Sequence, residues 1–86
     1  MISVEIEARL RAELAPTELH IRDDSAQHAG HAGAREGRHF TVRLTSARFA
    51  GLNRVARHRL VYDSLGSLTA LGVHALAIVA KAPGEG

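Results

Sequence analysis

Val73-His74-Ala75-Leu76-Ala77-Ile78-Val79-Ala80-Lys81 is the stretch whose reading decides the fold. Gly72 precedes it and Pro83-Gly84 follows it, so it reads as a strand bounded by turn formers. It is apolar at odd and even positions alike, which predicts an interior place in a sheet. Ahead of it, apolar spacing predicts a helix from about Asn53 to Leu68. At 100° per residue, Val55, Val61, Tyr62, Leu65 and Leu68 fall on one face, with His58 in its middle. Gly66 weakens the end of that helix. Further back, Phe40, Val42 and Leu44 alternate with His39, Thr41, Arg43 and Thr45, the pattern of a half-buried strand. A strand reached through a helical crossover lies parallel to the one before it, with a right-handed connection.

The remaining elements follow outward from this core. Leu19 and Ile21 alternate with His20 and Arg22, giving a short strand that should run antiparallel to the next one. Near the N-terminus, Ser3 is expected to cap a helix whose Ile6, Leu10 and Leu14 recur four apart, with Glu5–Arg9 and Glu7–Arg11 pairs outside. Pro16 stops it. Phe49 to Gly51 reads as a tight connector. The order is therefore helix, strand, strand, helix, an optional further short helix, and strand. That is an α+β two-layer domain spanning 1–86, a three-stranded mixed sheet with helices on one face.

Composition narrows the function classes. With 86 residues there is room for one core, and with Phe40, Phe49 and Tyr62 the only aromatic side chains, aliphatics must fill it. There is no cysteine, so the chain offers neither a disulfide nor a thiolate of its own. Soft metal chemistry must use histidine or borrow thiolates from a partner. Glu5 and Glu7 stand where a signal peptide would be apolar, and no run approaches about 18 apolar residues, so the expectation is a cytoplasmic protein with no membrane partner. The net charge is +2, and nearly all of the positive charge is arginine.

Histidine is where chemistry could reside. His20 and His39 fall on outward strand faces and read as solvated. His58 lies between two arginines in an apolar stripe and reads as structural. His74 stands at the mouth of the last strand, at the rim of the sheet. Asp23 to Arg38 is long for a link between two antiparallel strands, which usually takes two to five residues. That link has no apolar residue larger than alanine, which predicts mobility, and it carries His28 and His31 as an H-x-x-H pair. A closed zinc site wants four ligands. Here it would need His28, His31 and His74 with water or Asp24. A shared site, to which the chain supplies two nitrogens, asks less of the sequence.

Arg48-Phe49-Ala50-Gly51-Leu52, Arg57-His58-Arg59-Leu60-Val61-Tyr62 and Val73-His74-Ala75-Leu76 together resemble the signature of the BolA family, over nearly the whole chain. The resemblance implies a KH-like fold and a non-enzymatic iron–sulfur adaptor. His74 would be the hallmark ligand, and the loop ligand would be His28, or alternatively His31. The implied partner is a monothiol glutaredoxin, whose cysteine and glutathione supply the thiolates of a bridging [2Fe–2S] cluster. No cofactor is then expected in the isolated protein, which should be monomeric without its cluster. Imidazoles in place of thiolates lower the negative charge at one iron and raise the potential. Ligand imidazoles must also be neutral, so sharing weakens once the solution protonates them. The chain departs from the family pattern at Ala26 and Ala82, neither of them a proposed ligand.

The resemblance also implies a competing reading, a DNA-binding transcriptional regulator of cell morphology and stress response, with Arg54, Arg57 and Arg59 facing phosphates. KH domains clamp nucleic-acid backbone with a G-x-x-G loop, and Gly51 to Arg54 lacks the second glycine. No catalytic array of Ser, His and Asp and no phosphate-cradling glycine loop is present, so an enzyme is not expected.

Overall fold

The computed structural model describes residues 2–24 and 38–85. Its first helix, α1 (Ile2–Leu14), places Ile6, Leu10 and Leu14 on one stripe, and all three are fully buried. Each such burial is worth about 1.5–3 kcal/mol. On either flank of that stripe Arg9–Glu5 and Arg11–Glu7 pair at 3.0 and 2.9 Å, as the spacing requires. The helix begins at Ile2, so Ser3 lies inside its first turn and is not the cap. It ends where Ala15 takes a left-handed φ of 43°, directly before Pro16.

Strands β1 (Glu18–Asp23) and β2 (Arg38–Thr45) pair antiparallel, from Glu18 opposite Thr45 to Asp23 opposite Phe40. β3 (Val73–Lys81) pairs parallel with β2. The sheet order is β1-β2-β3, so β3 is an edge and β2 is the interior strand. The expectation of an interior β3 is therefore corrected. Its two apolar faces have another origin. Leu76, Ile78 and Ala80 turn toward the helices, while the residues coating the open face are Ala75, Ala77 and Val79, small enough to tolerate water.

A single 3-10 turn (Ala47–Phe49) follows β2 and buries Phe49 completely. Ser46 organises this corner: fully buried, its hydroxyl donates to the Leu14 carbonyl at 2.6 Å and accepts from the Arg48 amide at 3.1 Å. The next helix, α2 (Arg54–Leu65), is capped by Asn53, whose Oδ1 accepts from the Ala56 amide. It stops short of Leu68 because Gly66 takes a φ of 73°, and a separate short helix, α3 (Leu68–Leu71), restarts under a Ser67 cap. Val61 and Leu65 form the buried side of α2. Val55 is 62% exposed and Tyr62 40%, so both leave the expected stripe. They sit about 80–100° from the Val61–Leu65 line, too far round a helix that touches the core along one narrow side.

The core lies between the helices and one face of the sheet, joining Ile6, Leu10 and Leu14 to Phe40, Val42, Leu44, Val61, Leu65 and Ile78. Replacing Ser46 with alanine leaves the Leu14 carbonyl and the Arg48 amide without this partner in a dry corner. A loss of about 1–3 kcal/mol is expected, read from urea or guanidinium unfolding midpoints against the parent chain.

Candidate functional site

The mouth of β3 is built around an irregularity. Arg38 is paired with Val73, but the next residue of β2, His39, is paired with Ala75. His74 is thus the extra residue of a β-bulge, a device that turns one side chain away from the regular pleat. Val73 beneath it is buried and Leu76 beyond it is half-buried, while His74 is exposed at the rim. Gly72, at a φ of 85°, closes α3 and accepts the Arg38 amide on its carbonyl at 3.2 Å, fixing the strand at its start.

His39 is the residue that sequence reasoning missed. It does lie on the outward strand face, as expected, but it is half-buried, and its ring centroid stands 5.2 Å from that of His74 with the planes 32° apart. Alternation of apolar and polar residues assigned His39 to solvent. Only the β2–β3 register puts it beside the bulge, and register was not legible in the chain.

The ends of the β1–β2 connection are pinned at this same rim. The Asp24 amide donates to the His39 carbonyl at 2.7 Å. The Asp24 carboxylate accepts from the Thr41 hydroxyl and the Arg22 guanidinium, and those contacts, Thr41 foremost, hold its pKa below the usual carboxylate value. It is therefore engaged with Thr41 and Arg22. Arg38 pairs with Asp23 at 3.1 Å. His28 and His31 lie outside the described residues, as does the mobility expected of the loop. Among the described residues no group of three or more His, Cys, Asp or Glu side chains is arranged to hold a metal.

The remaining candidate residues divide. His20 is exposed on the open sheet face, and His58 is half-buried in the groove between α2 and the β3 edge. Arg54 and Arg59 are exposed and make no ion pair among the described residues. Arg57 does not face outward with them. Its guanidinium donates to the Leu52 carbonyl at 2.9 Å, to the Ala80 carbonyl at 3.2 Å and to both carboxylate oxygens of Glu85. Glu85 in turn accepts from the Ala82 amide at 2.9 Å. Arg57 is therefore a latch on the β3 edge, and any phosphate-facing role falls to Arg54 and Arg59.

A family model described as BolA-like protein matches residues 10–85. The chain belongs to the BolA family. Protein BOLA1, chloroplastic, of Arabidopsis thaliana is 49% identical over 81 residues, covering 90% of this chain and 51% of that protein. The DNA-binding transcriptional regulator BolA of Escherichia coli (strain K12) is 41% identical over 78 residues, covering 91% of this chain and 72% of the relative. The solved structure of BolA1 from Arabidopsis thaliana superposes with a TM-score of 0.84 at 43% identity, covering 100% of this chain and 96% of that one. The chain thus has the BolA fold while spanning about half the length of the first of these relatives. These relatives are named as BolA proteins or as a regulator, not for an enzymatic activity. No helix among the described residues is long and apolar enough to cross a membrane.

The latch has a pH signature. Its contacts to Arg57, and then to the Ala82 amide, hold the Glu85 carboxyl at about 2 against an ordinary 4.5. A depressed carboxylate stabilises the fold fully above the ordinary value and loses that contribution as pH falls from about 4.5 through about 2. Glu85→Gln should lower stability at neutral pH and flatten its decline over that window. Thermal melts of both chains between neutrality and that acid limit provide the measurement.

Proposed function

We propose that this BolA protein is a non-enzymatic adaptor that shares a [2Fe–2S] cluster with a monothiol glutaredoxin, in cluster trafficking or iron regulation. The observation that carries the reading is the exposure of His74 on a bulge at the sheet rim: an imidazole offered to a partner in a chain with no thiolate. His28, with His31 as the alternative, would supply the second nitrogen. The connection that carries both leaves β1 and rejoins β2 at the rim where His74 stands. His28 lies four positions after Asp24, a span of at most about 14 Å. The glutaredoxin cysteine and glutathione would complete the coordination. Borrowed thiolates on one iron and neutral imidazoles on the other suit a cluster that is passed on or sensed.

A second reading, a DNA-binding regulator, is favoured by the name of the Escherichia coli relative and by the exposed Arg54 and Arg59, which make no ion pair among the described residues. The inward engagement of Arg57 leaves it the weaker of the two.

Co-expression with a monothiol glutaredoxin should give a coloured complex with visible absorption. His74→Ala should abolish that spectrum and His28→Ala should weaken it, while an unchanged spectrum in His74→Ala would sink the ligand assignment. Duplex DNA titrated at two salt concentrations tests the second reading. A sequence-specific binder retains a preference among duplexes as salt rises, whereas a phosphate-only contact fades for all of them alike.

A further inference from the structure

We infer that the open face of the sheet, opposite the helices, docks an acidic amphipathic helix supplied by a partner protein. The surface centres on Val79, five positions along β3 from His74 and so roughly 16 Å away. It uses neither His74 nor the loop histidines, and it stands independently of cluster sharing. Register sets its rows: Arg22 beside Thr41 and Ala77, His20 beside Arg43 and Val79, and Glu18 beside Thr45 and Lys81.

The two halves of this face differ. Along β3 it is apolar, with Ala75, Ala77 and Val79 all exposed. Strands of parallel sheets normally have cover on both faces, yet helices cover the parallel pair β2–β3 on one face alone. Beside the bare strip lie cations. Five of the chain's nine acidic residues are each paired with an arginine, and Asp24 takes Arg22 in this way. Arg43, exposed, and Lys81, half-buried, make no ion pair among the described residues. Lys81 lies near Glu85, but Arg57 already holds that carboxylate. Arg43 stands directly across from Val79, and Lys81 lies two positions beyond it on β3. This strip with its two cations is complementary to a ligand carrying apolar and acidic groups side by side. An amphipathic helix does so, with its apolar groups at i, i+3, i+4 and i+7.

The dimensions fit one helix. Strands about 4.8 Å apart put β1 and β3 about 10 Å from each other, and a helix with its side chains is about 10–12 Å across. A hollow of about 810 Å³, whose walls include His20, Arg43, Val79 and Lys81, lies over this end of the sheet. Alanine at positions 75 and 77 lets a helix approach the strand closely, and such a helix adds a third layer to the domain. Other occupants fit less well. A second copy of this chain has no acidic stripe to offer. Among the described residues its carboxylates outside ion pairs are scattered, Glu13 on α1, Glu18 on β1 and Asp63 on α2. A nucleic-acid single strand stacks its bases on aromatic rings, and this face carries no Phe, Tyr or Trp.

The test selects a phage-displayed library of helical peptides, about 15 residues or a little over 20 Å long, against the full chain. The strongest binders should carry Asp or Glu beside an apolar stripe. Added as a synthetic peptide, the best of them should shift the amides of Thr41, Arg43, Val79 and Lys81 and leave those of α1 in place. Arg43→Gln and Lys81→Gln should each weaken it about two- to fivefold, the range of exposed ion pairs. Val79→Glu, which sets a carboxylate beside both cations, should weaken it further, and Glu18→Gln should tighten it. Arg11→Gln, in the helical layer, should bind as the parent does. Amide spectra of each variant show that the sheet is intact, so lost affinity is read from folded protein. Four results would overturn the surface: no binders, binders without acidic enrichment, shifts that fall outside this face, or unchanged affinity in Arg43→Gln and Lys81→Gln. A labelled DNA duplex that displaces the peptide at physiological salt would assign the face to nucleic acid instead.

Discussion

Parallel pairing of β2 with β3 is the constraint on which the rest of the molecule depends. β1 and β2 are consecutive antiparallel strands, but β3 returns to lie beside β2 only after α2 and α3 have crossed the sheet. That crossover covers one face and buries Val61 and Leu65 against Phe40, Val42 and Leu44. α1 then closes the layer with its three fully buried aliphatics. Ser46 is the seam between the two halves, since its hydroxyl ties the end of α1 to the turn leaving β2, and its amide bonds the Lys81 carbonyl at the end of β3.

The same pairing creates the candidate site through its one fault. A regular ladder would set His74 directly opposite His39. The bulge slides Ala75 into that place and leaves His74 standing at the rim. Function-bearing side chains on a sheet often depend on such a slip, because the pleat otherwise commits alternate residues to inside or outside with no intermediate aim. Position 74 is thus set by backbone geometry, and the neighbouring imidazole follows from register.

Most of the architecture was legible in the chain. Alternation at Phe40–Val42–Leu44 and the four-residue spacing of Ile6, Leu10 and Leu14 are strong periodic signals, and all six residues are buried. The errors have physical causes. β3 was read as interior because it is apolar on both faces, yet alanine and valine also coat an open face without penalty. Val55 and Tyr62 were assigned to the core because a stripe read from angles alone has no sharp edge. At the site, exposure of His74 was expected from its place at a strand mouth, whereas the proximity of His39 was not. It depends on which residues of two strands become neighbours, and no local pattern encodes that.

Sheets with a bare margin invite other extended chains to continue them, which is how soluble domains stack into fibres. Here β3 is such a margin, and Arg57 with Glu85 occupies its far end, engaging the Ala80 carbonyl and the Ala82 amide that an incoming strand would use. Growth of the sheet is therefore blocked at the end away from His74. Of the arginines in the family signature, Arg57 thus covers backbone at the sheet margin rather than facing solvent.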